Sequence, residues 1–138
     1  MTSNNLRTIP AFGYEIIRDQ ILESILGKHK KDVLYWAGKE VARKYPLFSL
    51  EELHSFFIQA GWGEITLEKE SKDSLTYVLT GDDDILKFTE RCFRIEAGFL
   101  AEQVQKLNGY LTECYDEVNP KKNVVVFTVK WDLKEPVS

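Results

Sequence analysis

Few residues of this 138-residue chain have the chemistry of a catalytic or metal site. It holds two cysteines, Cys92 and Cys114, and two histidines, His29 and His54. Structural zinc usually takes four ligands, and neither histidine has a cysteine or a carboxylate at a metal-ligand offset that stands out. The pattern predicts reduced thiols, solvated or partly packed histidines, and no metal.

Three consecutive aspartates, Asp82, Asp83 and Asp84, could offer carboxylate oxygens to Ca²⁺ or Mg²⁺. Adjacent residues do not converge on one ion, and the alternating aspartates of a calcium loop are missing, so a solvated turn is expected. The chain also lacks the glycine-rich motifs of α/β-hydrolases, dinucleotide-binding domains and P-loops. We therefore expect a protein that is not an enzyme.

The net charge of −4 and the pI of about 5.3 argue against a general nucleic-acid or anionic-membrane binder. Residues 28–46 carry a net charge of +4 and residues 64–90 one of −5. The basic stretch could meet an anionic partner, but its spacing favours the solvated face of a helix. No apolar run is long enough to span a bilayer, and the start lacks a signal-peptide pattern, so we expect a cytoplasmic protein.

The length and the 43% of hydrophobic residues are typical of one globular domain. We expect it over residues 11–138, after a flexible leader over residues 1–10. Apolar residues at helical spacing predict helices over residues 12–26 and 32–44. A third helix is expected from the capping box of Ser49 and Glu52, with Phe48 and Leu53 forming a hydrophobic staple.

Two pairs of strands are predicted around a long helix. Residues 65–67 and 75–79 alternate in polarity, residues 92–107 return to the helical period, and residues 110–118 and 124–131 form two more strands. Grouped helices and antiparallel-capable strand pairs indicate an α+β fold. We expect three N-terminal helices and one long helix packed on a single antiparallel sheet made of two hairpins.

The long helix is the most informative element. Gly98 lies in its interior, where glycine costs about 1 kcal/mol relative to alanine. The cost predicts a tight helix–sheet or helix–ligand contact at Gly98, against the alternative of ordinary core packing. Glu96 and Gln103 are seven residues apart on one face, and are expected either at the surface or at the rim of a pocket.

The end of the chain resembles the closing segment of four-vinyl-reductase-type domains. The similarity is carried by CFRIEAGFLAE at 92–102, the strand that leads to Cys114, and FTV at 127–129. That superfamily also includes haem nitric-oxide-binding domains of NO signalling and the TRAPP subunits of Golgi transport. Nearly the whole chain resembles the YslB-like family of bacterial proteins, on the motifs LYWAGK at 34–39, ARK at 42–44, AGWG at 60–63, EAGF at 96–99 and VKWD at 129–132.

The resemblance implies a helix-and-sheet fold that holds a small hydrophobic molecule, haem or an acyl chain, or that mediates assembly. Cys114 matches the first of two cysteines in vinyl-reductase-type domains, but residues 124–126 contain no second one. His29 and His54 lie elsewhere than the proximal histidine of the haem domains. The expectation is therefore no metal, no haem and no other cofactor.

Two functions follow as hypotheses. The first is a non-enzymatic ligand-binding or sensing domain whose pocket is lined by aromatic and small residues, namely Tyr35, Trp36, Tyr77, Gly98, Phe99 and Trp131. The second is a homo-oligomeric interaction or adaptor module without a ligand. Its expected form is a homodimer through the first two helices, because the first carries apolar residues on more than one face, including Ile17, Ile21 and Ile25.

Overall fold

The computed structural model describes residues 10–82, 86–88 and 90–137. Asp83, Asp84 and the predicted leader up to residue 9 lie outside these ranges. Within them, three α-helices have seven or more residues: α1 (Lys30–Lys44), α2 (Leu53–Gln59) and α3 (Arg94–Asn108). The four strands are β1 (Glu64–Glu70), β2 (Ser74–Thr80), β3 (Tyr110–Asn119) and β4 (Val124–Pro136).

The sheet has the order β1-β2-β4-β3, and each neighbouring pair is antiparallel. Strands β2 and β4 join in the middle, where Tyr77 lies opposite Phe127 and Leu75 opposite Val129. The side chains of these four residues are buried against the helices. The predicted α+β class with an antiparallel sheet is confirmed, and β4 runs five residues beyond its expected end at 131.

The predicted first helix over residues 12–26 is wrong as one regular α-helix. The chain forms an α-helical turn Ala11–Glu15, a π-helix Ile16–Ile21 and a second short α-helix Leu22–Leu26, which together we call the N-terminal segment. A 3₁₀ turn, Gly27–His29, leads into α1. Apolar spacing cannot separate an α-helix from a π-helix, so the helix count expected from the sequence is too high by one.

The helices form two layers rather than one. Helix α3 lies on the sheet beside β3 and β4, and α2 packs on β1. Helix α1 packs mainly on α3, on the side away from the sheet. The long helix is therefore covered from both sides. As a result, six of the seven consecutive residues of α3 from Glu96 to Glu102 are buried.

The start of α2 shows one success and one error of the sequence analysis. The capping box is confirmed, since the backbone N–H of Ser49 donates to the Glu52 carboxylate at 2.8 Å. The hydrophobic staple is wrong, because Phe48 is 91% exposed while Leu53 is buried. The backbone N–H of Phe48 also donates to Glu52. The backbone before the helix is therefore held by hydrogen bonds to Glu52, without a contact from the phenyl ring of Phe48.

None of the helices in the described ranges is both long enough and apolar enough to cross a membrane.

Candidate ligand-binding cavity

Two glycines set the position of α1 on α3. A Cβ atom on Gly98 would lie 1.9 Å from the carbonyl oxygen of Tyr35, and one on Gly38 would lie 2.0 Å from that of Ile95. The two backbones therefore touch reciprocally, each glycine facing a carbonyl of the other helix. The tight contact expected at Gly98 exists, but the expected partner is wrong: Gly98 meets the backbone of another helix, and neither the sheet nor space for a ligand lies against it.

A cavity of about 470 Å³ opens where the N-terminal segment lies over these helices, and we call it the apolar cavity. The segment covers one side, while α1, α3 and the turn after α2 form the other. The lining residues are Pro10, Gly13, Tyr14, Ile17, Arg18, Leu22, Val41, Trp62 and Ile95. Arg18 is the only charged residue among them, so the walls suit a molecule that is mainly hydrophobic.

Trp62 forms the floor of the apolar cavity and is held by an aromatic cluster. Its ring meets those of Phe56, Phe57 and Phe99 with centroids 5.6, 5.1 and 5.2 Å away, at steep angles. Such edge-to-face contacts fix the orientation of a ring beyond what burial alone does. The floor is therefore rigid. The N-terminal segment on the other side of the cavity is less tightly packed, since it contains one buried residue, Arg18.

Arg18 ties the segment to α3. Its Nη2 atom lies 2.5 Å from Oε1 of Glu96 and 3.1 Å from the carbonyl oxygen of Cys92, and its Nη1 donates to the hydroxyl of Tyr14 at 2.7 Å. Burial by itself would lower the pKa of Arg18, but the Glu96 carboxylate outweighs it and the net shift is upward. Arg18 therefore keeps its positive charge inside the protein, beside Glu96.

A second ion pair lies beside the first. Nε and Nη2 of Arg91 donate to the two carboxylate oxygens of Asp19 at 2.8 and 2.9 Å. Arg18 and Asp19 are adjacent in the π-helix, and both reach the stretch before and at the start of α3. The side chain of Arg91 is 1% exposed and that of Asp19 is 20% exposed, so this contact is largely shielded from water. Two ion pairs therefore connect the N-terminal segment to the start of α3.

The six residues predicted to line one pocket lie in separate places. Phe99 belongs to the aromatic core and Gly98 to the helix crossing, while Trp36 is 60% exposed. Tyr77 is buried at a different cavity of about 430 Å³ between α2 and β1, and burial raises its pKa to about 12. Trp131 is half-buried against the core. The structure therefore does not bring these six residues together in one cavity.

Tyr35 connects α1 to the edge of the sheet. Its hydroxyl oxygen accepts a hydrogen bond from the backbone N–H of Cys114 at 3.1 Å, and the guanidinium of Arg94 lies 4.2 Å from its ring centroid. Burial, as the largest cause, raises the pKa of Tyr35 to about 12. Because β3 is an edge strand, this hydrogen bond satisfies a backbone N–H group that would otherwise lack a partner. The role of Tyr35 is therefore structural.

The two polar residues of α3 singled out in the sequence are fully buried. Glu96 binds Arg18, and Gln103 connects α3 to the loop after α1. Nε2 of Gln103 donates to the carbonyl oxygen of Tyr45 at 2.8 Å, and its Oε1 accepts from the N–H of Leu47 at 3.2 Å. Glu96 and Gln103 therefore lie neither at the surface nor at the rim of a pocket. The sequence does not show that a second layer of helices covers the face of α3 that the two residues share.

The predicted interface residues form an exposed row. Ile17, Ile21 and Ile25 are 57%, 45% and 72% exposed along the outer side of the N-terminal segment. Ile17 also lines the apolar cavity, so it lies at the boundary between the cavity and the surface. A homodimer through this row stays a prediction.

The cysteines and histidines are not brought together. Both thiols are free; Cys114 is buried and Cys92 half-buried, and burial raises the pKa of each. His29 and His54 are exposed. Across residues 10–82, 86–88 and 90–137, no three histidine, cysteine or acidic side chains are placed to hold a metal ion.

The four-stranded antiparallel sheet with a long helix across it is shared by solved structures of low sequence identity. A vinyl-4-reductase family protein from Methanocaldococcus jannaschii superposes with a TM-score of 0.66 at 17% identity, over 94% of this chain and 85% of that one. An Fe(II) unliganded H-NOX protein variant from K. algicida gives 0.58 at 13%, over 91% and 75%. A trafficking protein particle complex subunit 3 from Naegleria fowleri gives only 0.47 at 12%, over 93% and 95%.

The chain belongs to the family described as "Protein of unknown function (DUF2507)", which matches residues 11–130. It is 43% identical to the uncharacterized protein YslB of Bacillus subtilis (strain 168) over 139 aligned positions, which cover 97% of this chain and 94% of that protein. The resemblance to the YslB-like family is confirmed, and so is the similarity of the fold to a vinyl-4-reductase family protein and an H-NOX protein.

Proposed function

We propose that this protein is a non-enzymatic domain that binds a small, mainly hydrophobic molecule in the apolar cavity. The observation that carries the proposal is the cavity itself. It measures about 470 Å³, has aliphatic and aromatic walls, and lies between a rigid aromatic floor and a segment fastened by ion pairs. Ligand sites of small molecules usually have volumes of about 300–1,000 Å³ and walls of this composition.

The fold supports the proposal in a second way. The relatives of similar structure include a vinyl-4-reductase family protein and an H-NOX protein described as Fe(II) unliganded. The expectation from the sequence was a ligand held between helices and sheet. The apolar cavity instead lies between the N-terminal segment and the helices, so a ligand there would contact α1 and α3 rather than the sheet.

Native mass spectrometry of gently purified protein tests the proposal. We expect a species heavier than the bare chain, and a hydrophobic compound that is released by organic extraction. The cavity-filling variant Val41→Phe should lose the extra mass because its ring would occupy the space. Val78→Phe, which places the same ring on the other face of the sheet, is the matched control and should keep it. Bare protein alone, or equal retention in both variants, would contradict the proposal.

A second candidate is a homodimer that acts as an interaction module. The exposed row of Ile17, Ile21 and Ile25 favours it, together with Trp36 on α1. Burying a few hundred Å² of apolar surface contributes several kcal/mol gross, at about 25 cal/mol per Å², before the cost of association.

Sedimentation at tens of micromolar tests the homodimer. The wild type should run at twice the 16.0 kDa chain mass, and the double variant Ile21→Glu, Ile25→Glu as a monomer. Neither residue lines the apolar cavity, so ligand binding should persist in that variant. Leu111→Glu, at an exposed leucine of β3, is the control and should remain a dimer. A monomeric wild type would exclude this candidate.

A further inference from the structure

The cavity of about 430 Å³ between α2 and β1 is separate from the apolar cavity, with which it shares no lining residue. We call it the strand cavity. Five of its ten lining residues are leucine or isoleucine, and the others include Tyr77, Glu51 and Glu70. The walls are therefore mainly apolar, and a few polar groups stand among them, as is usual for the site of a small molecule.

The helix-facing side of the sheet is incompletely covered at the strand cavity. Leu67 of β1 lies directly opposite Tyr77 of β2. Since paired residues of neighbouring strands point to the same face, both side chains are on the side of the helices. Tyr77 is 3% exposed, whereas Leu67 is 45% exposed. An apolar side chain that stays exposed on the covered side of a sheet marks an opening that the hydrophobic part of a ligand can fill.

The hydroxyl group of Tyr77 is left without a partner in the described part of the chain, where no residue forms a hydrogen bond with its oxygen. The oxygen keeps some accessible surface, unlike the unpaired polar atoms that are sealed in the interior. Because Tyr77 lines the strand cavity and is otherwise buried, this surface belongs to the cavity wall. A ligand that donates a hydrogen bond to the oxygen would satisfy a polar group that burial otherwise penalises.

A β-bulge brings a carboxylate to the same opening. The register of β1 on β2 shifts just after Leu67, and as a result Glu70, rather than Lys69, lies opposite Leu75. Leu75 is buried on the helix-facing side, so Glu70 stands at the strand cavity, where a regular strand would place the Lys69 ammonium. Burial and, to a smaller extent, the charge of Glu70 raise the pKa of Tyr77, which agrees with the closeness of the two side chains.

The negative charge of the strand cavity is not cancelled by the protein. Glu51, in the turn before α2, lines the cavity together with Glu70. Across the described residues, neither of these carboxylates is paired with a cation. The described lining includes no lysine or arginine, and His54 lies 3.7 Å from a carboxylate outside the cavity, that of Glu64. The electrostatics of the strand cavity therefore favour a cation.

We propose that the strand cavity binds a small hydrophobic amine, whose apolar body packs on Leu67 and Leu75 and whose ammonium group donates to the Tyr77 hydroxyl and the Glu70 carboxylate. An ammonium group has three donors and no acceptor, which matches two acceptors and an unpaired negative charge. A neutral alcohol of the same shape can use the hydroxyl but not the charge, and a carboxylate is repelled by Glu70. This inference does not depend on the proposed ligand of the apolar cavity.

Amide NMR of the full chain, titrated with phenethylamine at neutral pH and constant ionic strength, tests this inference. Phenethyl alcohol and hydrocinnamate carry a similar body with a neutral and a negative group. We expect saturable shifts at Leu67, Glu70 and Tyr77 with the amine, binding of the alcohol that is about three- to tenfold weaker, and no saturable shift with hydrocinnamate. Equal affinities for the amine and the alcohol, or no saturable shift at these amides with the amine, would overturn the proposal.

Two variants identify the groups that bind the ammonium. Tyr77→Phe removes the hydroxyl alone, so it should weaken the affinity for phenethylamine about three- to tenfold without lowering the stability of the fold, since no protein group loses a partner. Glu70→Gln keeps the size of the side chain and should reduce the affinity for the amine to that for the alcohol. Glu68→Gln, on the same strand but outside the cavity, is the matched control and should bind as the wild type does. Wild-type affinity in both Tyr77→Phe and Glu70→Gln would refute the site.

Discussion

At the scale of single residues, the reciprocal glycines of the α1–α3 crossing have the most consequence. Gly38 and Gly98 each face a backbone carbonyl that cannot rotate away as a side chain could. The crossing also shapes one wall of the apolar cavity, since Val41 and Ile95 come from the two helices that meet there.

Replacing Gly98 by alanine should lower the free energy of unfolding by about 1–3 kcal/mol, because the new Cβ would overlap the Tyr35 carbonyl. Chemical denaturation measures the change. Gly13→Ala is the matched control, since no atom lies within 4 Å of the added Cβ, and it should be neutral or slightly stabilising. Equal stability of Gly98→Ala and wild type would mean that the helices are not in contact.

The two thiols should differ in reactivity. Cys114 is 1% exposed and Cys92 is half-buried, and burial raises the pKa of both thiols. The thiolate is the reactive form, so labelling of Cys92 by a disulfide reagent should accelerate as the pH rises through and beyond the ordinary thiol range. Cys114 should react only after denaturant is added. Cys92→Ser removes the fast phase, and a remaining fast phase would contradict the burial of Cys114.

At the scale of elements, the sequence predicted α1, α3, β2 and β3 within two residues at both ends. The period of two in β2 and the left-handed Gly109 after α3 follow local rules that a sequence reveals. The α–π–α form of the N-terminal segment does not follow from such local rules. This form is stabilised by tertiary ion pairs of Arg18 and Asp19 with residues more than 70 positions away in the chain. Aromatic residue types do not identify the lining of a pocket, because residue type does not show which side of a helix is covered.

The buried pair of Arg18 and Glu96 should be essential as a pair and replaceable as a unit. Arg18→Met alone leaves an uncompensated carboxylate in the interior and should cost about 3–5 kcal/mol of the free energy of unfolding. The double variant Arg18→Met, Glu96→Leu should recover most of that loss. Denaturation of both variants, with hydrogen exchange of the N-terminal segment, measures the effect.

Lys30→Met serves as the control for this pair, because its contact with Glu23 is partly exposed and should contribute at most about 1 kcal/mol. If Arg18→Met were as stable as Lys30→Met, or if the double variant were no better than Arg18→Met, the pair would not fasten the segment.

At the scale of the whole molecule, the apolar cavity depends on the N-terminal segment that lies over it. Loosening the segment would open the cavity to solvent. The fold class was readable from the grouping of helices and strands, whereas the cavity arises from contacts between distant parts of the chain.

The most direct test of the hydrophobic site uses Trp62 as a reporter on the cavity floor. In a Trp36→Phe, Trp131→Phe variant, Trp62 is the remaining tryptophan. A decanol with a terminal bromine should quench its fluorescence with a saturable dependence on concentration, because the bromine contacts the ring only when the alkyl chain of the decanol enters the cavity. In the sister variant Trp36→Phe, Trp62→Phe, Trp131 should show only weak, linear collisional quenching. Saturable quenching confined to Trp62 is the predicted result, and equal, linear quenching of Trp62 and Trp131 would contradict the account.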